Sequence, residues 1–166
     1  MSFAHFLEWL SNTSFSMGLR GTIWAEPLVE SLHVLTLTLF LGFSVFLDLR
    51  LLGVTMKQRR ASEVLGQLNP WLFVGFAIMI ITGVLLFCGD PVSFYTTSFF
   101  KIKMVLLVLA CANVLVFNYT VGRRIADWDL AAKTPTAAKV AAVISLVLWI
   151  AIVGAGRAIA YVLPPP

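Results

Sequence analysis

Charge is what this sequence has least of. Asp, Glu, Lys and Arg make up 12% of its 166 residues, where soluble domains carry about 25%. Meanwhile 60% of the chain is hydrophobic and the mean hydropathy is +0.93. The deficit excludes a soluble globular class and leaves an integral membrane protein. Cysteine is sparse too. Cys88 and Cys111 fall at depths differing by about 18 Å at 1.5 Å per residue, and a disulfide needs Cα atoms within about 7 Å, so no bridge is expected. No internal repeat, P-loop or metal-spaced Cys/His cluster occurs, and the only histidines are His5 and His33. The absence of positive charge before Arg20 is unlike a cleavable signal peptide.

What is present is a set of long apolar runs, at about 25–52, 70–88, 99–121 and 139–163. Each meets the roughly 20-residue length of a membrane-crossing helix. The expected fold is an all-α integral membrane protein, with four transmembrane helices in an antiparallel bundle over 24–166 and an N-terminal interfacial arm over 1–23. In the arm, FAHFLEWL places Phe3, Phe6, Leu7 and Leu10 at helical spacing with Trp9 beside them, as in a short helix lying among headgroups. Pro27 suits a first helical turn, and Asn69 with Pro70 reads as the cap and first residue of the second span. Gly89-Asp90-Pro91 should end that span, and Thr134-Pro135-Thr136 should start the fourth. In the fourth, Ala151 and Ala155, Gly154 and Ala158, and Gly156 and Ala160 form small-xxx-small pairs that permit close packing. Asn113 is expected to hydrogen-bond across helices. Trp24, Trp71, Trp128, Tyr95 and Tyr161 read as interface anchors.

The basic residues report topology. Arg50, Lys57, Arg59 and Arg60 follow the first run, and Arg123, Arg124, Lys133 and Lys139 follow the third. Basic residues collect on the cytoplasmic side, so 53–69 and 122–138 should be cytoplasmic. Both termini and the 89–98 loop then face the periplasm of a bacterial inner membrane. With that assignment, the net charge of +4 makes no case for nucleic acid.

Ionisable residues within spans are costly, and so they mark where chemistry or specific pairing resides. On a helix turning 100° per residue, Glu26, Glu30 and His33 lie at relative angles of roughly 0°, 40° and −20°. They form one stripe, which Ser44 and Asp48 rejoin further along, and this face should point into the bundle. Asp48 and Arg50 are expected to pair near the cytoplasmic end. His33, Lys103 and Arg157 all fall about 6 to 10 Å below the outer surface, level with Glu30, Thr82 and Gly83. Snorkelling explains each basic residue on its own. A histidine gains nothing by snorkelling, so His33 is either a structural hydrogen-bonding residue, with Glu30 as partner, or a haem ligand. This layer offers haem b an axial nitrogen in His33, an apolar slot, and propionate partners in Arg157 and Lys103. The second ligand could be His5 on the arm, whose competing reading is a water-exposed interfacial histidine. It could equally be Lys103 in its deprotonated form, or be absent in a five-coordinate iron.

SLHVLTLTLFLGFSVFLDLRLLGV, NPWLFVGFAIMIITGVLLF and FFKIKMVLLVLACANVLVF resemble the first three helices of a bacterial four-helix membrane family. That family resembles a branch, sharing the pattern ESLH…DLRLLG…TG…F…K…N…LW…GR, of the superfamily that includes HemJ-type protoporphyrinogen oxidases and CopD-like membrane domains. The shared features are an early histidine, a terminal Leu-Arg-Leu, a Thr-Gly near the outer end and a lysine opening the third helix. In HemJ-type enzymes that histidine and lysine are associated with haem b, which carries over to His33 and Lys103. Asn113 and Asn118 stand where those enzymes carry a further histidine, and the scattered methionines offer no copper cluster.

The expected function is that of a b-type cytochrome-like haem-binding protein in electron transfer near the periplasmic face. Its metal would be held by His33 and His5, and its cofactor pocket completed by Lys103, Arg157 and Glu30. The alternatives are a HemJ-like porphyrinogen oxidase and a cofactor-free accessory or scaffold subunit. Membrane lipid, a quinol or redox partner protein, and a second copy of the chain are the expected partners. The topology is checked by placing a cysteine at Arg60. A membrane-impermeant thiol reagent added outside should leave it unlabelled, and ready labelling would invert the orientation.

Overall fold

In hydrocarbon the backbone has no water to bond, so an apolar run must satisfy its own N–H and C=O groups as helix. A computed structural model describes residues 3–56, 58–129 and 134–162. Among these there are helices and no strands: α1 (Phe3–Ser11), α2 (Ser14–Gly21), α3 (Ala25–Leu52), α4 (Ala61–Gly89), α5 (Pro91–Thr96), α6 (Ser98–Tyr119), α7 (Ile125–Trp128) and α8 (Thr136–Val162), with a 3₁₀ turn at Gly122–Arg124. α3, α4, α6 and α8 are each long and apolar enough to cross a membrane. The chain is a multi-pass helical membrane protein. Lys57, Lys133, the C-terminal prolines and the Phe3 side chain lie outside the described residues.

The helix boundaries follow local chemistry. α3 stops at Gly53, which takes φ +75° and donates its N–H to the Arg50 carbonyl at 3.0 Å, while Val54 N–H reaches Leu49 O at 2.9 Å. Glycine is favoured there because it adopts this left-handed geometry without a Cβ clash. Asp90 caps α5 by accepting from Ser93 N at 3.2 Å, and Pro91 is the next residue. The start of α4 differs from the sequence expectation. It begins at Ala61, so Pro70 is inside the helix and not at its first position. A proline there removes the hydrogen bond to the Gly66 carbonyl. Tertiary packing offsets that loss, because Ala61, Val64 and Leu65 are buried. α8 starts at Thr136, as the Thr134-Pro135-Thr136 signal predicts.

The four spans pack in the order α4, α3, α8, α6, and α4 and α6 do not pack along each other. At mid-span a cluster of Phe40, Met79, Ala110, Trp149 and Ile152 joins all four, with Phe40 edge-on to Trp149 at 4.7 Å. A second cluster of Leu51, Ala61, Leu65, Phe117, Trp128, Ala138 and Ala142 closes the end away from the arm. The Asn113 amide bridges helices as expected, donating to Ala141 O at 3.0 Å. Cys88 and Cys111 are both free.

The arm is two helices. Thr13 breaks it and caps α2 by accepting from Ser16 N at 3.3 Å. Ser16 is fully buried, and its hydroxyl donates to the Cys88 carbonyl near the end of α4. The arm therefore sits at the end of the bundle where α3 begins. Trp24, Trp71 and Tyr161 are exposed, as interface anchors would be, but Trp128 is buried in the far cluster and donates Nε1–H to Val121 O at 3.3 Å. Gly154 has open space where a Cβ would stand, so its small-residue pair is not used in a contact within this chain. The expected Asp48–Arg50 ion pair is not formed. Arg50 Nε instead donates to the Arg59 carbonyl at 3.1 Å, because the two side chains leave α3 in different directions.

At the far end, Asp129 holds the start of α4. Its carboxylate accepts from Ser62 N at 2.9 Å and from the Ser62 hydroxyl. The little burial it has would raise its pKa, but the Ser62 bonds, the Ala61 amide and the Arg60 charge together hold it below the ordinary aspartate value. A lowered pKa stabilises the fold above the unfolded value and loses that contribution as pH falls through the folded one. The Tm difference between wild type and Asp129→Asn should therefore be full at neutral pH and close as the pH drops below the ordinary aspartate range. A pH-independent difference would contradict this.

Candidate functional site

Along α3 the inward stripe runs Thr36, Phe40, Ser44, Asp48, Leu51, all buried. His33, half-buried, continues it towards the arm end. Val29 and Glu26 extend the stripe into a narrow cleft shared with Leu19, Leu85, Leu86 and Gly89. Glu30 falls on the exposed flank. The helical drift that returns Asp48 to the stripe carries Glu30 off it.

The imidazole of His33 crosses to α4. Its Nδ1 lies 2.7 Å from Thr82 Oγ1, and the Thr82 hydroxyl itself donates to the Ile78 carbonyl at 2.8 Å. A hydroxyl has a single hydrogen. The Ile78 and Met79 carbonyls, at 2.8 and 3.3 Å, both compete for that hydrogen with His33 Nδ1; when a carbonyl takes it, Thr82 Oγ1 accepts from His33, so that Nδ1 carries the proton and Nε2 keeps its lone pair. Gly83 lies against the ring, where a Cβ would stand 3.4 Å from His33 Cε1, in ordinary van der Waals contact. A larger residue would displace the ring.

Lys103 reaches the same layer from α6. Its Nζ lies 3.6 Å from where a Cβ on Gly156 of α8 would be, and its charge is close enough to act on His33. The structure thus brings together His33, Lys103, Thr82, Gly83 and Gly156. Arg157 is on the same turn of α8, but it is exposed and lies over the Tyr161 ring at 5.2 Å. His5 is not brought in. Its side chain is 77% exposed and faces Glu8 one turn on, at 3.7 Å. Glu30 makes no hydrogen bond to the imidazole that it was expected to orient, and Thr82 bonds that ring instead.

Two features escaped the sequence reading. Phe87 of α4 and Phe100 of α6 stack at 5.3 Å with planes 13° apart, and Phe94 of α5 stands edge-on to Phe100 at 5.8 Å. This aromatic cap joins α4 to α6 about one turn beyond the His33 layer. The second is the partner of Asp48, which is Ser145 of α8; a serine in an apolar span carries no signal of its own. Among the described residues, no group of three or more His, Cys, Asp or Glu could hold a metal ion by itself.

The His33–Thr82 bond yields a stability prediction. Thr82→Val removes the partner of the half-buried Nδ1, which should destabilise the fold by about 1 kcal/mol, whereas Thr82→Ser should be close to neutral. Equilibrium unfolding in mixed detergent micelles measures both. Equal effects of Val and Ser would contradict the assignment.

No curated protein and no solved structure matches the chain. Residues 6–162 match the sequence profile of the family of unknown function DUF6644. The match spans the arm and all four membrane helices, and the chain belongs to that family.

Proposed function

We propose that this protein is a b-type cytochrome-like haem-binding protein of the bacterial inner membrane, acting in electron transfer at its periplasmic end. The observation that carries the reading is the 2.7 Å contact of His33 Nδ1 with Thr82 Oγ1, which, in the tautomer with the hydrogen on Nδ1, leaves Nε2 with a free lone pair. An axial histidine has this arrangement, one nitrogen anchored by a hydrogen bond and the other offered to the metal. This imidazole, with Lys103 in the same layer, supports haem b as the cofactor. When bound, the haem would supply one-electron exchange between ferric and ferrous iron.

The chain's residues have distinct parts in this reading. His33 would hold the iron, and Thr82 would fix the plane of its ring and raise its basicity. Gly83 admits the ring against α4. Lys103, close to His33, is the better-supported second ligand or propionate partner, and Arg157 offers a further cation at the arm end. The exposed, locally paired state of His5 supports no ligand role. The resemblance to HemJ-type and CopD-like helices favours the same pair, His33 and Lys103. A quinol or a redox partner protein would exchange electrons at this end, within a lipid-embedded protein whose α8 face could also meet a second copy.

A scaffold reading is favoured by one specific observation: the His33–Thr82 bond ties α3 to α4 without any cofactor. Absorbance spectra separate the two. Protein purified from haem-sufficient cells should show a Soret band that shifts on reduction. His33→Ala should abolish it, and His5→Ala and Glu30→Gln should leave it in place. A colourless wild type, or a His33→Ala protein with full haem content, would sink the cytochrome reading in favour of the scaffold.

A further inference from the structure

The most unusual buried group outside the His33 layer is a carboxyl near the other end of the bundle. Asp48 is 5% exposed, and it lies inside a span, one turn from the end of α3. The hydroxyl of Ser145, itself buried on α8, reaches its carboxyl, yet the Oδ2 atom is buried and has no hydrogen-bond partner. Ser44, one turn along α3, is buried too.

None of the described cations neutralises this carboxyl. On α3 itself, Arg50 is directed to the Arg59 carbonyl. At the start of α4, Arg59 pairs with Glu63 at 3.3 Å, and both are exposed. On α8, Lys139 is only half-buried and lies almost two turns before Ser145. The Asn113 amide of α6 is occupied with Ala141 O. A bare carboxylate oxygen in this setting is far more costly than the neutral acid, because an isolated buried charge lacks both solvation and a partner.

We infer that Asp48 is a proton-binding site within the membrane, its carboxyl held as the neutral acid with Ser145 donating to one oxygen and the proton on the other. The neutral acid has an outlet that the carboxylate lacks, since an O–H on Oδ2 can turn onto a main-chain carbonyl one turn back on α3, as serine and threonine do in spans. A metal cation would need several more oxygen ligands than one carboxyl and two hydroxyls supply. Protons would load from the nearby end of α3, on the side expected to be cytoplasmic. His33 is about 22 Å away along the helix, so this site does not depend on the haem reading.

Infrared spectroscopy on the full chain in lipid vesicles tests the inference. At neutral pH the wild type should show the carbonyl stretch of a protonated carboxylic acid, and it should persist in sodium, potassium or choline salts. Asp48→Asn should lose that band while keeping its helicity and unfolding midpoint, because it replaces a neutral acid with a neutral amide. Should that variant fail to fold, carbon-13 labelling of the aspartate carboxyls in the wild type reads the same state directly, with one of the four aspartates expected to be protonated at neutral pH. An ionised Asp48 at neutral pH overturns the proposal. A band abolished by sodium alone also overturns it, and would make the site one for a monovalent cation.

Discussion

Within the hydrocarbon layer a polar side chain has no solvent to fall back on, so it must meet its match on another helix or on its own backbone. In this chain the interaction on which most depends is the bond between His33 and Thr82. It spans α3 and α4, the most extensively packed pair, with Gly83 packed beside it. It also determines which imidazole nitrogen is left over. The same constraint explains why Asn113 reaches Ala141 and why the Ser16 hydroxyl anchors the arm onto the end of α4.

The bundle is layered as a result. The aromatic cap of Phe87, Phe94 and Phe100 is followed by the His33–Lys103 layer and then by the apolar plug around Phe40 and Trp149. Beyond the plug come Ser44, Asp48 and Ser145, and finally the cluster around Leu51 and Phe117. The apolar plug around Phe40 and Trp149 separates the two polar layers, and a surrounding of low polarity strengthens the electrostatic interactions inside it. Two such layers separated by an apolar plug can carry different chemistry at the two faces of the membrane.

The spans were legible because hydrocarbon imposes length and composition directly on sequence, and the inward stripe of α3 was legible because its polar residues recur at helical spacing. Asn113 was readable for the same reason. The misreadings have a common origin in packing. Pro70 looked like a start signal, but burial of Ala61, Val64 and Leu65 carries the helix through it. Trp128 looked like an anchor and is core. Glu30 sits one turn from His33 in sequence, yet the slow drift of the stripe turns it outwards. Partners across helices, such as Thr82 for His33 and Ser145 for Asp48, depend on how α4 and α8 rotate against α3, and one helix's pattern does not encode a neighbour's rotation.

The central claim is that the fold itself, before any ligand, leaves His33 with a protonated Nδ1 and a bare Nε2. Solid-state nitrogen-15 NMR of the ligand-free protein in lipid, with labelled histidine and His5→Gln to remove the second signal, reads this directly. The account requires one neutral imidazole with its hydrogen on Nδ1. A hydrogen on Nε2, or on both nitrogens at neutral pH, would contradict it.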